Sequence, residues 1–247
     1  MGAAAIIKEM NTQKAEKIPA STSSAVKATA ATGPPASAGQ GPVSSTLARM
    51  VDSQVDSVKP TGTFDHTVLI GDSRTEGLEI YDGLGNAAYY AAKGLTVSTV
   101  FTKPVIEVDG KKVTVMQALS QKQFDRVYIM LGVNELGWSS SQTFIQEYGK
   151  MIDTVRKDQP KAKIYVQSIL PVTAKKAGMD KTYSLKNIVS HNKMIQNMTE
   201  EKGVYYLSVD ASVSDSKGYL PDDASVDGVH LNSKYCKKWC EFLKKNT

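Results

Sequence analysis

Short β-branched apolar runs, most of them closed by glycine or proline and followed by a stretch of helical spacing, constrain this chain more than any other feature. The first, HTVLIG at 66–71, reads as a buried strand, and 75–81 as the helix behind it. A second strand is expected at 87–91, entering Gly94. RVYIML at 126–131 is a further central strand ending on Gly132, KIYVQSIL at 163–170 is stopped by Pro171, and 204–209 is the last. Helical spacing covers 116–121, 185–201 and 234–245, and 140–157 through Phe144, Tyr148, Met151, Ile152 and Val155. A hairpin of 105–108 and 113–115 is expected around Asp109-Gly110, a favoured turn pair. Strands that alternate with helices imply a parallel sheet covered on both faces. The expected fold class is therefore α/β, a flavodoxin-like three-layer α/β/α sandwich on a five-stranded parallel sheet. In such folds ligands sit beyond the carboxyl ends of the strands.

The alternation begins late. Phe64 is the first aromatic residue, and the stretch before it is rich in Ala, Ser, Thr, Pro and Gly, most clearly at 20–42. A segment without aromatics is a poor core former, so 1–60 reads as a disordered linker or stalk and 61–247 as the folded domain. Stalks of this kind separate surface domains from a membrane or wall anchor, which places the protein outside the cell or on its surface. The apolar run of MGAAAIIKEM is too short for a signal-peptide core. Ile6 stands where a myristoylation motif needs Ser or Thr. No run of eighteen apolar residues is present, so no membrane span is expected.

Charge narrows the partners. The net charge is +5, spread along the chain, and the one dense basic cluster is Lys234, Lys237, Lys238, Lys244 and Lys245 in the last helix. It contains no arginine, which argues against nucleic acid and for a solvated helix face. Cys236 and Cys240 lie one helical turn apart on the face of Trp239 and Leu243; that spacing suits buried free thiols better than a disulfide or a zinc site. No metal is expected.

Three histidines are available as a general base. His66 opens a strand, at the end away from the expected crevice. His191 stands mid-helix among Ser190, Asn192 and Lys193 and reads as a solvated surface residue. His230 follows Asp227-Gly228-Val229 in a loop before the last helix, where an Asp three residues away can hold the imidazole tautomer. Ser73 lies just past the first strand, in Gly71-Asp72-Ser73-Arg74-Thr75. It is aimed at the crevice, or else it or Asp72 caps the following helix. Thr75 occupies the second glycine position of GxSxG, which excludes the ordinary α/β-hydrolase elbow. The backbone N–H groups of Ser73 and Gly94 and the side-chain amide of Asn134, in Gly132-Val133-Asn134, are placed to donate to an oxyanion.

In this order, Val68–Ser73, Gly94, Gly132–Asn134 and Asp227–His230 resemble the successive blocks of the SGNH hydrolases, also called GDSL-like esterases, over residues 64–245. Glu135 departs from that pattern, standing where Asp is usual. The resemblance implies a serine esterase without metal or organic cofactor: Ser73 as nucleophile, His230 as base, Asp227 as its orienter, and Ser73, Gly94 and Asn134 as the oxyanion hole. GDSR followed by Thr-Glu-Gly-Leu, with Gly-Val-Asn-Glu-Leu later, is similar to secreted or surface-attached esterases of Gram-positive bacteria. The implied substrates are small esters or acylated glycans, with acetyl groups on carbohydrate or cell-wall glycan favoured. An acyltransferase with the same triad, a catalytically silent glycan-binding module and a lipid esterase or thioesterase remain as alternatives. Arg74 either meets an anionic or polyhydroxylated substrate or makes a surface salt bridge with Glu76 or Glu79. Trp138 either stacks on a sugar ring or fills a loop core.

Overall fold

A computed structural model describes residues 63–81 and 83–247. The stalk expected at 1–60 lies outside the described residues. Five parallel strands form one sheet: β1 (Thr67–Gly71), β2 (Ala88–Ala91), β5 (Arg126–Met130), β6 (Lys163–Gln167) and β7 (Tyr205–Leu207), in the order β2-β1-β5-β6-β7. This is the five-stranded parallel sheet of a flavodoxin-like sandwich expected from the sequence. The chain leaves β1 for β2 on one side and then crosses to β5 on the other, so the point where the strand order reverses lies at the carboxyl ends of β1 and β5.

The strands build two cores because alternate residues face opposite sides of the sheet. Val68, Ile70, Val127, Ile129, Ile164 and Val166 face one side. There they meet helices α2 (Val115–Ser120), α3 (Ser141–Asp158) and α5 (Leu185–Lys202) through Leu119, Phe144, Ile152, Ile188 and Ile195. Leu69, Tyr128, Met130 and Tyr165 face the other side, against α1 (Ser73–Tyr81) and α6 (Ser233–Asn246), with Leu78 and Trp239 at the centre. Trp239 is fully buried and its Nε1–H donates to Gln167 Oε1 at 2.7 Å. Tyr128, Tyr165 and Tyr205 are register partners on β5, β6 and β7, and their rings stack with centroids 4.8 and 5.0 Å apart. Cys236 and Cys240 are buried and form no disulfide, as their spacing indicates.

Several expectations are corrected. The hairpin forms as β3 (Ile106–Val108) and β4 (Lys111–Val113), with Asp109 and Gly110 both at positive φ. A two-residue turn of that kind brings its strands together at once, so the second strand comes earlier than 113–115. Thr114 instead caps α2: its Oγ1 accepts from Gln117 N–H while Gln117 Oε1 accepts from Thr114 N–H. Helix α4 (Ala174–Met179) occupies a stretch where no element was expected. β6 and β7 end earlier than 170 and 209. His191 is not a solvated surface residue. It is 5% exposed, its ring 5.3 Å from that of Phe144. Ile188, His191, Ile195 and Met198 share the inward stripe of α5, and that spacing was the signal to read.

Candidate active site

Ser73, His230 and Asp227 meet at the carboxyl edge of the sheet, brought there by three different local devices. Ser73 is set by a tight strand-to-helix turn. Asp72 supplies the helix cap: its Oδ1 accepts from Arg74 N–H at 2.9 Å, and its carbonyl oxygen accepts from the N–H groups of Thr75 and Glu76. The capping alternative is thus taken by Asp72, and Ser73 Oγ is left for another partner. Gly71 allows the turn to be this close, since a Cβ there would stand 2.0 Å from Thr75 Oγ1 and 2.9 Å from Met130 O.

Asp227 and His230 share one loop. Asp227 Oδ1 accepts from the N–H groups of Val229 and His230, both at 2.9 Å, and from Ser225 Oγ at 3.1 Å. Asp227 Oδ2 faces His230 Nδ1 at 2.6 Å. Gly228 holds the loop against the segment after β6: its φ is +82°, its carbonyl accepts from Thr173 N–H, and a Cβ there would meet Lys176 Cβ and Thr173 Oγ1, each at 2.7 Å. An ionised carboxylate only accepts, so the Asp227 contact places the imidazole proton on Nδ1 and leaves Nε2 as an acceptor. Ser73 Oγ lies 2.8 Å from that Nε2. Burial acts to raise the Asp227 pKa, but the hydrogen bonds from His230 and Val229 and the charge of His230 outweigh it and hold the carboxyl far below the usual range. The alignment can carry a proton from the Ser73 hydroxyl to a base kept in the correct tautomer.

The segments that carry the candidate donors are tied to one another. The backbone N–H groups of Ser73 and Gly94 have no protein acceptor among the described residues. Asn134 Nδ2 gives one N–H to Leu95 O at 2.9 Å and keeps its second. Ala92 N–H, at the end of β2, donates to Gly71 O at 3.2 Å, tying the Gly94 segment to the Ser73 turn. The Ser73 turn, the Gly94 segment and Asn134 are therefore linked by one backbone bond and one bond from the Asn134 side chain.

Arg74 stands elsewhere than the sequence suggested, and Trp138 takes the second of its two readings. Arg74 is 2% exposed, and its Nη1 donates to Leu170 O at 2.6 Å. It makes no surface salt bridge with Glu76 or Glu79 and does not stand free to meet substrate. Burial pushes its pKa down, against the opposing pull of Asp72, Tyr183 and Asp227. Trp138 is part-buried and packs against the α3–α5 core. Two buried acids lie beneath the site. Asp72 is almost wholly buried and its pKa is raised by that burial. Glu135 is completely buried; its Oε1 accepts from Val97 N–H at 2.8 Å, and burial pushes its pKa up to about 7. Sequence reasoning gave Glu135 no role, and its place in the pattern, where Asp is usual, was the one available signal. Among the described residues, no group of three or more His, Cys, Asp or Glu is placed to hold a metal ion.

The fold and the aligned Ser, His and Asp side chains define a doubly wound α/β protein with a hydrolase-like serine centre. The GDSL-like Lipase/Acylhydrolase family matches residues 69–235, more than half of the chain, and the chain belongs to that family. Membership indicates ester-hydrolase activity. Solved structures agree on the fold. A protein provisionally described as a platelet activating factor, from Streptococcus pneumonia, aligns with TM-score 0.58 at 20% identity, over 81% of this chain and 89% of that one. A GDSL-like lipase from Bacteroides thetaiotaomicron aligns with TM-score 0.55 at 15% identity, over 81% and 94%. A carbohydrate acetylesterase family member from Sinorhizobium meliloti aligns with TM-score 0.52 at 17% identity, over 72% and 95%. A comparison with curated proteins finds no match.

Proposed function

We propose that the protein is a serine esterase that removes short acyl groups, acetyl above all, from carbohydrate or cell-wall glycan at the cell surface. The observation that carries this reading is the line from Ser73 Oγ to His230 Nε2 (2.8 Å) and from His230 Nδ1 to Asp227 Oδ2 (2.6 Å). Ser73 Oγ attacks the ester carbonyl as its proton passes to His230. The negative oxygen of the tetrahedral intermediate is met by the N–H groups of Ser73 and Gly94 and the free amide N–H of Asn134. His230, now protonated and facing the Asp227 carboxylate, gives its proton to the leaving alcohol. Water then enters on the same route and frees the acid.

Openness supports a polymeric alcohol as the carrier of the ester. The His230 side chain is 46% accessible and Asn134 is exposed, so the reacting edge is open to solvent and a glycan chain can lie across it. The Ala-, Ser-, Thr- and Pro-rich composition of 1–60 supports the surface location. Ser73→Ala should lower turnover of p-nitrophenyl acetate by at least about 10³-fold while the unfolding midpoint stays in place. Turnover retained in that variant removes the assignment. A panel of acetylated xylan, acetylated peptidoglycan and longer acyl esters decides the substrate. Preference for the long acyl chains would replace the glycan reading with a lipid esterase, and faster acyl release on adding a glycan acceptor would make the protein a transferase.

A further inference from the structure

Asn134 and Glu135, consecutive residues beyond the end of β5, grip the segment after β2 at two points. Asn134 Nδ2 donates to Leu95 O at 2.9 Å, and Glu135 Oε1 accepts from Val97 N–H at 2.8 Å. Between these anchors and the Ala92 N–H bond to Gly71 O lies Gly94. Leu95 and Val97 are fully buried while Gly94 is exposed, so the segment is rooted in the core and presents one backbone N–H at the rim.

The chemistry of the Glu135 grip is unusual for its place. A wholly buried carboxyl is costly unless its oxygens are satisfied. Glu135 has no cation within ion-pair distance among the described residues, and its Oε2 has no hydrogen-bond partner. Asp72 and Tyr148 are the titratable groups whose charges act on it or feel its own. Packing alone would be served better by an apolar side chain of the same length. What an apolar residue cannot supply is the acceptor for Val97 N–H.

We propose that Glu135 is a positioning residue: by holding Val97 N–H it fixes the 94–97 segment so that Gly94 N–H faces the oxygen that turns negative when Ser73 attacks. The assignment rests on the serine-esterase reading. It acts through Gly94 and not on the substrate, so it should appear in the transition state and little in ground-state binding.

The full chain carries the test. Glu135→Met keeps the length and packing of the side chain and removes the acceptor, whereas Glu135→Gln keeps an oxygen at Oε1. Active sites are counted by labelling Ser73 with a fluorophosphonate. Per labelled site, kcat and KM are measured on p-nitrophenyl acetate, and affinity is measured for methylboronic acid, whose tetrahedral serine adduct mimics the intermediate. Glu135→Met should lower kcat by about 10- to 100-fold with KM within about twofold, and weaken the boronic acid by a similar factor. Glu135→Gln should recover activity to within about threefold of wild type. Wild-type kcat and boronic-acid affinity in Glu135→Met overturn the proposal, whatever happens to its unfolding midpoint, and so does a Glu135→Gln variant as impaired as Glu135→Met. If wild-type Ser73 takes no fluorophosphonate, the serine-esterase reading itself falls, which separates the two failures. Glu135→Ala replaces Glu135→Met, with the same expectations, if the latter yields too little folded protein.

Discussion

Asp227 divides its work between its two oxygens: Oδ2 faces the imidazole, and Oδ1 gathers the backbone N–H groups of Val229 and His230. The first contact sets the tautomer, and the second fixes the loop that carries the ring. Asp227→Asn keeps the shape and puts an N–H or a neutral oxygen where a carboxylate stood. Loss of the correct tautomer should cost about 10⁴-fold in kcat, read on p-nitrophenyl acetate with the folded fraction unchanged; a loss of less than about tenfold would mean that Asp227 is only a loop brace. The three residues of this line were legible in the sequence because strand ends and a four-residue turn are local signals. Arg74, His191 and Glu135 were harder. Each is polar or charged, and each is buried by elements distant in sequence: Arg74 under Leu170, His191 against Phe144, Glu135 under Val97. Burial that arises between elements leaves little trace in a residue's immediate neighbours, and only His191 had a usable one, the stripe it shares with Ile188 and Ile195.

Among the elements, the β1–α1 junction is the most demanding. Thr75 and the Met130 carbonyl close on Gly71 from two sides. Gly71→Ala must push α1 away from β1 or shift β5. Overpacking of this kind typically costs about 1–3 kcal/mol, and here it also displaces Ser73. The expected result is a lower unfolding midpoint together with reduced kcat per folded molecule. Unchanged kcat would show that the turn yields without moving the serine. The three inner strands β1, β5 and β6 were legible because burial on both faces selects unbroken apolar runs, as in TVLIG of β1, whereas the edge strands β2 and β7 are only part-buried. Helix α4 left no such trace, because none of its residues is buried and a helix without an apolar stripe has no period to detect. The hairpin turn was legible from Asp109-Gly110; the placement of its second strand depended on the Thr114–Gln117 cap of the next helix.

For the molecule as a whole, two buried acids make stability depend on pH. The Glu135 pKa is raised from 4.5 to about 7, so the folded state binds more protons than the unfolded chain between those values. Its contribution is fully favourable below about 4.5 and is lost as pH rises through about 7, a swing of about 3 kcal/mol. Asp72, also raised by burial, acts with the same sign. Glu135→Gln has no such ionisation. Its unfolding midpoint should therefore gain on wild type as pH goes from 5 to 8, and a constant difference across that range would show that folding does not raise the Glu135 pKa.

The hydrogen bond from Ser73 to His230 spans 157 positions of sequence. On the proposed mechanism, a growing polypeptide therefore carries its nucleophile long before its base. The strands that seat Ser73 are translated first, and the loop with Asp227 and His230 emerges only when the last helix is about to follow. On that mechanism ester turnover appears only once this loop has joined the sheet, so its appearance during synthesis becomes a clock for completion of the whole sandwich.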